Sequence, residues 1–149
     1  MEQYAVDFFG RWIGISAHRL SHLMTKTLQN KGFEITHEQL VLLFIISREK
    51  GINQKELAYK LDRDKTSIAR SVSKLEKTHK IVRIQTDEDK RINNLYLTKE
   101  GTQLLEDIYP VLKQIRDQLK TGLSENEINT TVSFLKKLTK KVIEMESKL

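Results

Sequence analysis

The chain has no cysteine, a single proline and a single tryptophan in 149 residues. Without cysteine there can be no disulfide, no thiolate metal site and no thiol-based redox sensing. One proline and six glycines leave few breaks between periodic segments. The longest apolar run, Leu40 to Ile46, is far shorter than the ~20 residues needed to span a bilayer. The opening Met1-Glu2-Gln3 lacks the basic start of a secretory leader and no cleavage site follows, so a cytoplasmic location is expected. No internal repeat or low-complexity linker is visible. There is no His-Glu-x-x-His, no phosphate-binding glycine loop and no nucleophile motif. The acids sit at helix starts and in one charged turn, where capping and solvation explain them. An enzyme, such as a small metal-dependent hydrolase, is therefore not expected, and neither is a cofactor.

What the chain does have is positive charge. Lysine and arginine number 26 against 20 acids, giving a net charge of +6 and a pI near 9.5. That balance favours a polyanionic partner, nucleic acid ahead of a membrane surface. Hydrophobic residues make up 38% and charged residues 31%, which suits a soluble, helix-rich protein.

Apolar spacing and capping residues divide the chain. Phe8, Phe9, Trp12, Ile13, Leu20, Leu23, Met24 and Leu28 recur at helical spacing and predict a first helix over residues 5–30, stopped at Gly32. Thr36 with Gln39 forms a capping box for a second helix, ending near residues 48–51. Asn53 with Glu56 starts a short third helix. Asp64 caps a fourth, running to about Thr78 with Ile68, Val72 and Leu75 inward. Alternation then takes over. Residues 81–86 and 93–98 read as two strands around a charged turn, a hairpin. A fifth helix opens at Thr98, contains Pro110 and stops at Gly122; the proline is expected to bend it. Ser124 with Glu127 caps a sixth helix.

A helix-turn-helix followed at once by a hairpin is a winged helix. The fold class is accordingly mainly α with a small β-hairpin (α+β), a winged helix-turn-helix flanked by N- and C-terminal helices. In that arrangement the second helix of the pair enters the major groove and the hairpin reaches toward the minor groove. The outer face of the fourth helix carries Lys65, Thr66, Ser67, Ala69, Arg70, Ser73, Lys74 and Lys77. Small residues permit close approach to bases. Arg70 suits a bidentate contact to a guanine edge, and Lys65, Lys74 and Lys77 suit phosphates. At the hairpin tip, Asp89, Lys90 and Arg91 stand together. Arg91 fits a narrow minor groove, with Asp89 orienting it through a charge-assisted hydrogen bond.

Residues 53–101 resemble the MarR (multiple antibiotic resistance regulator) family. The carrying residues are Asn53-Gln54-Lys55-Glu56-Leu57-Ala58, Asp64-Lys65-Thr66-Ser67-Ile68-Ala69-Arg70 and Lys74-Leu75-Glu76-Lys77. The most specific piece is Asp89-Lys90-Arg91 leading into Leu95-Tyr96-Leu97-Thr98-Lys99-Glu100-Gly101, the family's wing signature. With the flanking helices the likeness covers nearly the whole chain. It implies a transcription regulator, most often a repressor released by a small-molecule effector. It also implies a homodimer on a pseudo-palindromic operator, with Arg70 the base reader and Arg91 the minor-groove residue. The likeness divides the single domain, 1–149, into a winged part at 36–101 and a helical dimerisation part at 1–32 and 102–149. One departure is His79, where the family often has glycine and the backbone needs a left-handed turn.

The resemblance further suggests an effector pocket, with Trp12, Ile15, His18, His22, Phe44 and Tyr109 as candidate lining residues for an aromatic or amphipathic ligand. His18 and His22 have a spacing able to hold a metal, with His37, Glu34 and Glu38 nearby. The ligand pattern of zinc-sensing relatives is not clearly present, so a metal-responsive regulator ranks last among the alternatives and no metal is expected. The remaining alternative to a DNA-binding regulator is a winged-helix module for protein–protein contact.

Overall fold

A computed structural model describes residues 8–85 and 93–149 of the chain. Six helices are present among the described residues, and local chemistry sets their ends. Helix α1 (Phe9–Asn30) stops at Gly32, whose φ is 85°, with the Phe33 N–H returning to the Leu28 carbonyl. That is the left-handed cap which glycine permits. Residues 5–7, expected within this helix, lie outside the described residues.

Helix α2 (His37–Arg48) opens on the Thr36–Gln39 capping box, with reciprocal bonds of 3.2 and 3.1 Å. Helix α3 (Gln54–Lys60) opens on the Asn53–Glu56 box. Helix α4 (Lys65–Lys77) has the Asp64 carboxylate accepting from the Ser67 N–H at 2.7 Å. Each cap satisfies a backbone donor that the helix itself leaves free, worth about 1 kcal/mol.

The sheet has three strands, where the sequence pointed to two. β2 (Ile81–Gln85) and β3 (Asn93–Leu97) form the expected antiparallel pair, with Arg83 opposite Leu95. β1 (Ile52–Asn53) adds to the other edge of β3, Ile52 opposite Leu95. Two residues are too few for alternation to show, and Asn53 is at the same time the cap of α3, so β1 has no periodic signal of its own.

Helix α5 (Lys99–Lys120) continues unbroken through Pro110, and α6 (Glu125–Glu146) starts at the Ser124–Glu127 box. The Glu127 carboxylate accepts from the Ser124 hydroxyl and backbone N–H, which holds it below the usual carboxylate range. No helix among the described residues is long and apolar enough to cross a membrane.

The chain divides into two compact units, Met1–Leu112 and Lys113–Leu149. In the first, one core joins Leu28, Leu40, Leu43, Ile46, Leu57, Ile68, Val72, Leu75, Ile81, Leu95 and Ile108. Every described helix and strand of the unit contributes, α1 through Leu28 and β1 through Ile52, and each such buried side chain stabilises by about 1.5–3 kcal/mol. In the second unit, α6 buries no residue.

Candidate nucleic-acid interface

Helix α4 meets the requirement for a groove-reading helix face by face. Ile68 and Val72 are 0% exposed and Leu75 is 2% exposed, as their four- and three-residue spacing demands. The opposite side presents Lys65, Thr66, Arg70, Lys74 and Lys77 to solvent, while Ser67, Ala69 and Ser73 are half-buried at its margins. None of the four cations takes part in an ion pair among the described residues. Their charge is thus not neutralised from within, and no acid other than the capping Asp64 stands at the start of the helix. The α3–α4 turn that aims the helix passes through Asp62 in a left-handed conformation, φ 46°, which aspartate tolerates better than most residues.

The end of the wing signature has a structural part to play. Asp89, Lys90 and Arg91 lie outside the described residues. The Thr98 and Gly101 that end the signature form a joint. Thr98 Oγ1 donates to the His79 carbonyl at 2.6 Å and accepts from the Gly101 N–H at 3.0 Å. The Thr98 N–H donates to the Lys80 carbonyl. A Cβ added at Gly101 would stand 2.0 Å from the Lys80 oxygen, so only glycine lets α5 start this close to the end of α4. His79 itself holds φ 54°, the left-handed position anticipated there. The joint therefore ties the C-terminal turn of the recognition helix to β3 and α5.

Sequence reasoning missed Arg83. From β2 its Nη2 donates to Ser73 Oγ at 3.4 Å, and its Nε lies 3.1 Å from Glu76 Oε2. The latter is an ion pair whose N–H is not aligned for a hydrogen bond. Arg83 braces the wing strand against α4 and occupies Ser73, one of the expected DNA contacts. A single arginine in a strand of otherwise apolar and polar residues is not distinguishable in sequence from a solvated one.

The expected effector residues are dispersed. Trp12, Ile15, His18 and His22 are exposed along α1, Phe44 is half-buried against the core from α2, and Tyr109 is exposed on α5. A cleft of about 1060 Å³ lies elsewhere, between β1, α3 and the sheet. His37 turns to Ser21, with Nδ1 3.2 Å from Oγ, and its backbone N–H donates to Thr25 Oγ1. Desolvation lowers its pKa. Among the described residues no group of three His, Asp or Glu side chains is arranged to hold a metal ion.

Known proteins align with this geometry. The model of the MarR family matches residues 35–92. An uncharacterised HTH-type transcriptional regulator, YybA of Bacillus subtilis, is 26% identical over 89% of this chain and 87% of its own. The transcriptional repressor MprA of Escherichia coli is 27% identical over 84% of this chain and 75% of its own. A putative MarR family transcriptional regulator from Listeria monocytogenes, solved in complex with a 26mer DNA, superposes with a TM-score of 0.79. It is 27% identical and covers 93% of this chain and 90% of that one.

Proposed function

The chain belongs to the MarR family of winged-helix transcription regulators, and we propose that it reads a pseudo-palindromic stretch of double-stranded DNA as a homodimer in the cytoplasm. The observation that carries this reading is the outward row of α4, four exposed cations without ion-pair partners among the described residues, around small side chains. Arg70 serves as base reader, Lys65, Lys74 and Lys77 as phosphate contacts, and Thr66, Ser67, Ala69 and Ser73 as the close-approach surface. Asp89, Lys90 and Arg91 take the minor-groove role that the family likeness implies.

Dimerisation answers a separate need. In the first unit α1 leaves Phe9, Trp12 and Leu23 exposed, and in the second α6 leaves Val132, Val142, Ile143 and Met145 exposed. Apolar side chains at helical spacing on long helices mark a surface for a partner. A two-fold pair would set its α4 helices about 34 Å apart, one turn of DNA. On this division residues 36–101 bind DNA and residues 1–32 and 102–149 dimerise. Repression follows the name of the similar MprA, with release by a small-molecule effector. No catalytic step is assigned.

Fluorescence anisotropy with the DNA upstream of the chain's own gene, beside a scrambled duplex and over a salt series, tests the reading. Specific binding should weaken steeply with salt. Arg70→Ala should cost about 1–3 kcal/mol of discrimination with the dimer intact. Unchanged affinity in that variant would remove Arg70 from its role, and absence of DNA binding at low salt would favour a protein–protein module.

A further inference from the structure

Hydroxyls on helices commonly donate back to a carbonyl three or four residues earlier. Ser47, Thr78, Thr102 and Thr139 do so here, at 2.8–3.2 Å. Ser73 on α4 does not. Among the described residues its hydroxyl donates to no group, and its Oγ instead accepts from Arg83 Nη2 at 3.4 Å, a long bond whose donor is a full cation. The proton of Ser73 is thus left over on a helix that presents its polar face outward.

The place of Ser73 says what that proton can meet. It lies three residues after Arg70 and four before Lys77, so it shares their side of α4. The bond to Arg83 sets it on the edge of that side turned toward the wing strand β2. With α4 in the major groove and the hairpin toward the minor groove, one DNA backbone runs between the two elements. The group facing this edge is then a phosphate, which carries acceptors and no donor. With an N–H already on its oxygen, Ser73 directs its proton away from the guanidinium, and accepting from a cation strengthens its own donation. A base amino group would have to approach the same oxygen beside a positive charge. One obstacle stands at this edge: Glu76, the single acid in Lys65–Lys77, would repel a phosphate. Its Oε2 lies 3.1 Å from Arg83 Nε, so the same guanidinium offsets that charge.

We propose that Arg83 is a positioning residue for DNA binding: without touching DNA itself, it holds the Ser73 hydroxyl as a donor to one backbone phosphate between the grooves and offsets the charge of Glu76. The proposal rests on the DNA-binding reading above. It gives Ser73 a defined task, a sequence-blind phosphate contact, and makes a strand residue of the wing responsible for it.

Anisotropy of the full chain with the upstream duplex and with the scrambled duplex, over a salt series, tests this. Ser73→Ala puts a better helix former on α4. It should weaken binding to both duplexes about tenfold, the effect of one hydrogen bond to a charged acceptor, because phosphate contacts carry no sequence information. Its salt slope should stay that of the parent, since a neutral donor releases no counterion. Glu76→Gln together with Arg83→Gln removes one charge of each sign and keeps the net charge at +6. This pair should lose a similar factor at the parent's slope, and adding Ser73→Ala to it should cost less than about twofold more. Unchanged affinity of Ser73→Ala, or a loss on one duplex alone, would overturn the phosphate contact. A slope shallower by about one in the charge-neutral pair would put Arg83 on a phosphate directly. Full additivity in the triple variant would reduce Arg83 to a brace of the wing, and either result would overturn the positioning role. Failure of the parent to bind either duplex at low salt would overturn the DNA-binding reading, and this proposal with it.

Discussion

Helices α4 and α6 are both amphipathic, yet they stand at opposite extremes of burial. The 13 residues of α4 bury Ile68, Val72 and Leu75 within the first unit. The 22 residues of α6 bury none, and Ile143 is 59% exposed. Where the apolar stripe is satisfied inside the chain, the helix is oriented by its core and its polar face is left for outside chemistry. Where the stripe is unsatisfied, the stripe itself is the surface that the proposed dimer would cover. The same pattern of spacing thus leaves a polar face outward in one place and an apolar stripe outward in the other.

Matched truncations give the sharpest test of this contrast. Ile68→Ala should cost about 2–5 kcal/mol in denaturant unfolding, at any protein concentration, because it opens a cavity in a closed core. Ile143→Ala should cost far less within one chain, about 0.5 kcal/mol or below as for surface positions. Its effect should appear as a rise in the dimer dissociation constant in sedimentation. Equal, concentration-independent losses in both variants would erase the distinction between the helices.

Gly101→Ala comes next, at about 1–3 kcal/mol, because its Cβ meets backbone rather than a movable side chain. It should also weaken DNA binding beyond its effect on folding, since the joint it disturbs fixes the end of α4. A variant as stable as the parent would mean that α5 can shift away from Lys80 freely.

The smallest expected effect lies at the α1–α2 seam. Burial lowers the pKa of His37 below its usual 6.5. The unfolded chain therefore takes up this proton first as pH falls, and stability should decline from about pH 6.5 downward until the folded histidine is protonated too. His37→Gln should flatten that part of the stability–pH curve measured by urea unfolding. An unaltered slope would assign the decline to other groups.

The contrast between α4 and α6 also separates what was legible in sequence from what was not. Caps such as Asp64 and Ser124 announce helices because their partners lie three residues away. The inward stripe of α4 was readable because period and burial agree. The stripe of α6 was equally readable, but periodicity alone does not say whether a stripe is covered by its own chain. Trp12, Ile15, His18 and His22 are readable as positions on one helix, and spacing alone does not say what covers them. Aromatic and histidine residues at helical spacing identify a face, whereas a pocket needs walls from several elements.

Local interactions, within three or four residues, determined the starts of α2 to α6, the helix-turn-helix and the basic row of Lys65, Arg70, Lys74 and Lys77. Contacts between distant residues decided the rest. Ile52 becomes a strand only because Leu95 is beside it. Arg83 becomes a brace only because Ser73 and Glu76 face it. Gly101 is required only because the Lys80 carbonyl occupies the space a side chain would need. Such roles depend on chain closure over tens of residues, and no short-range pattern in the sequence encodes which groups will meet.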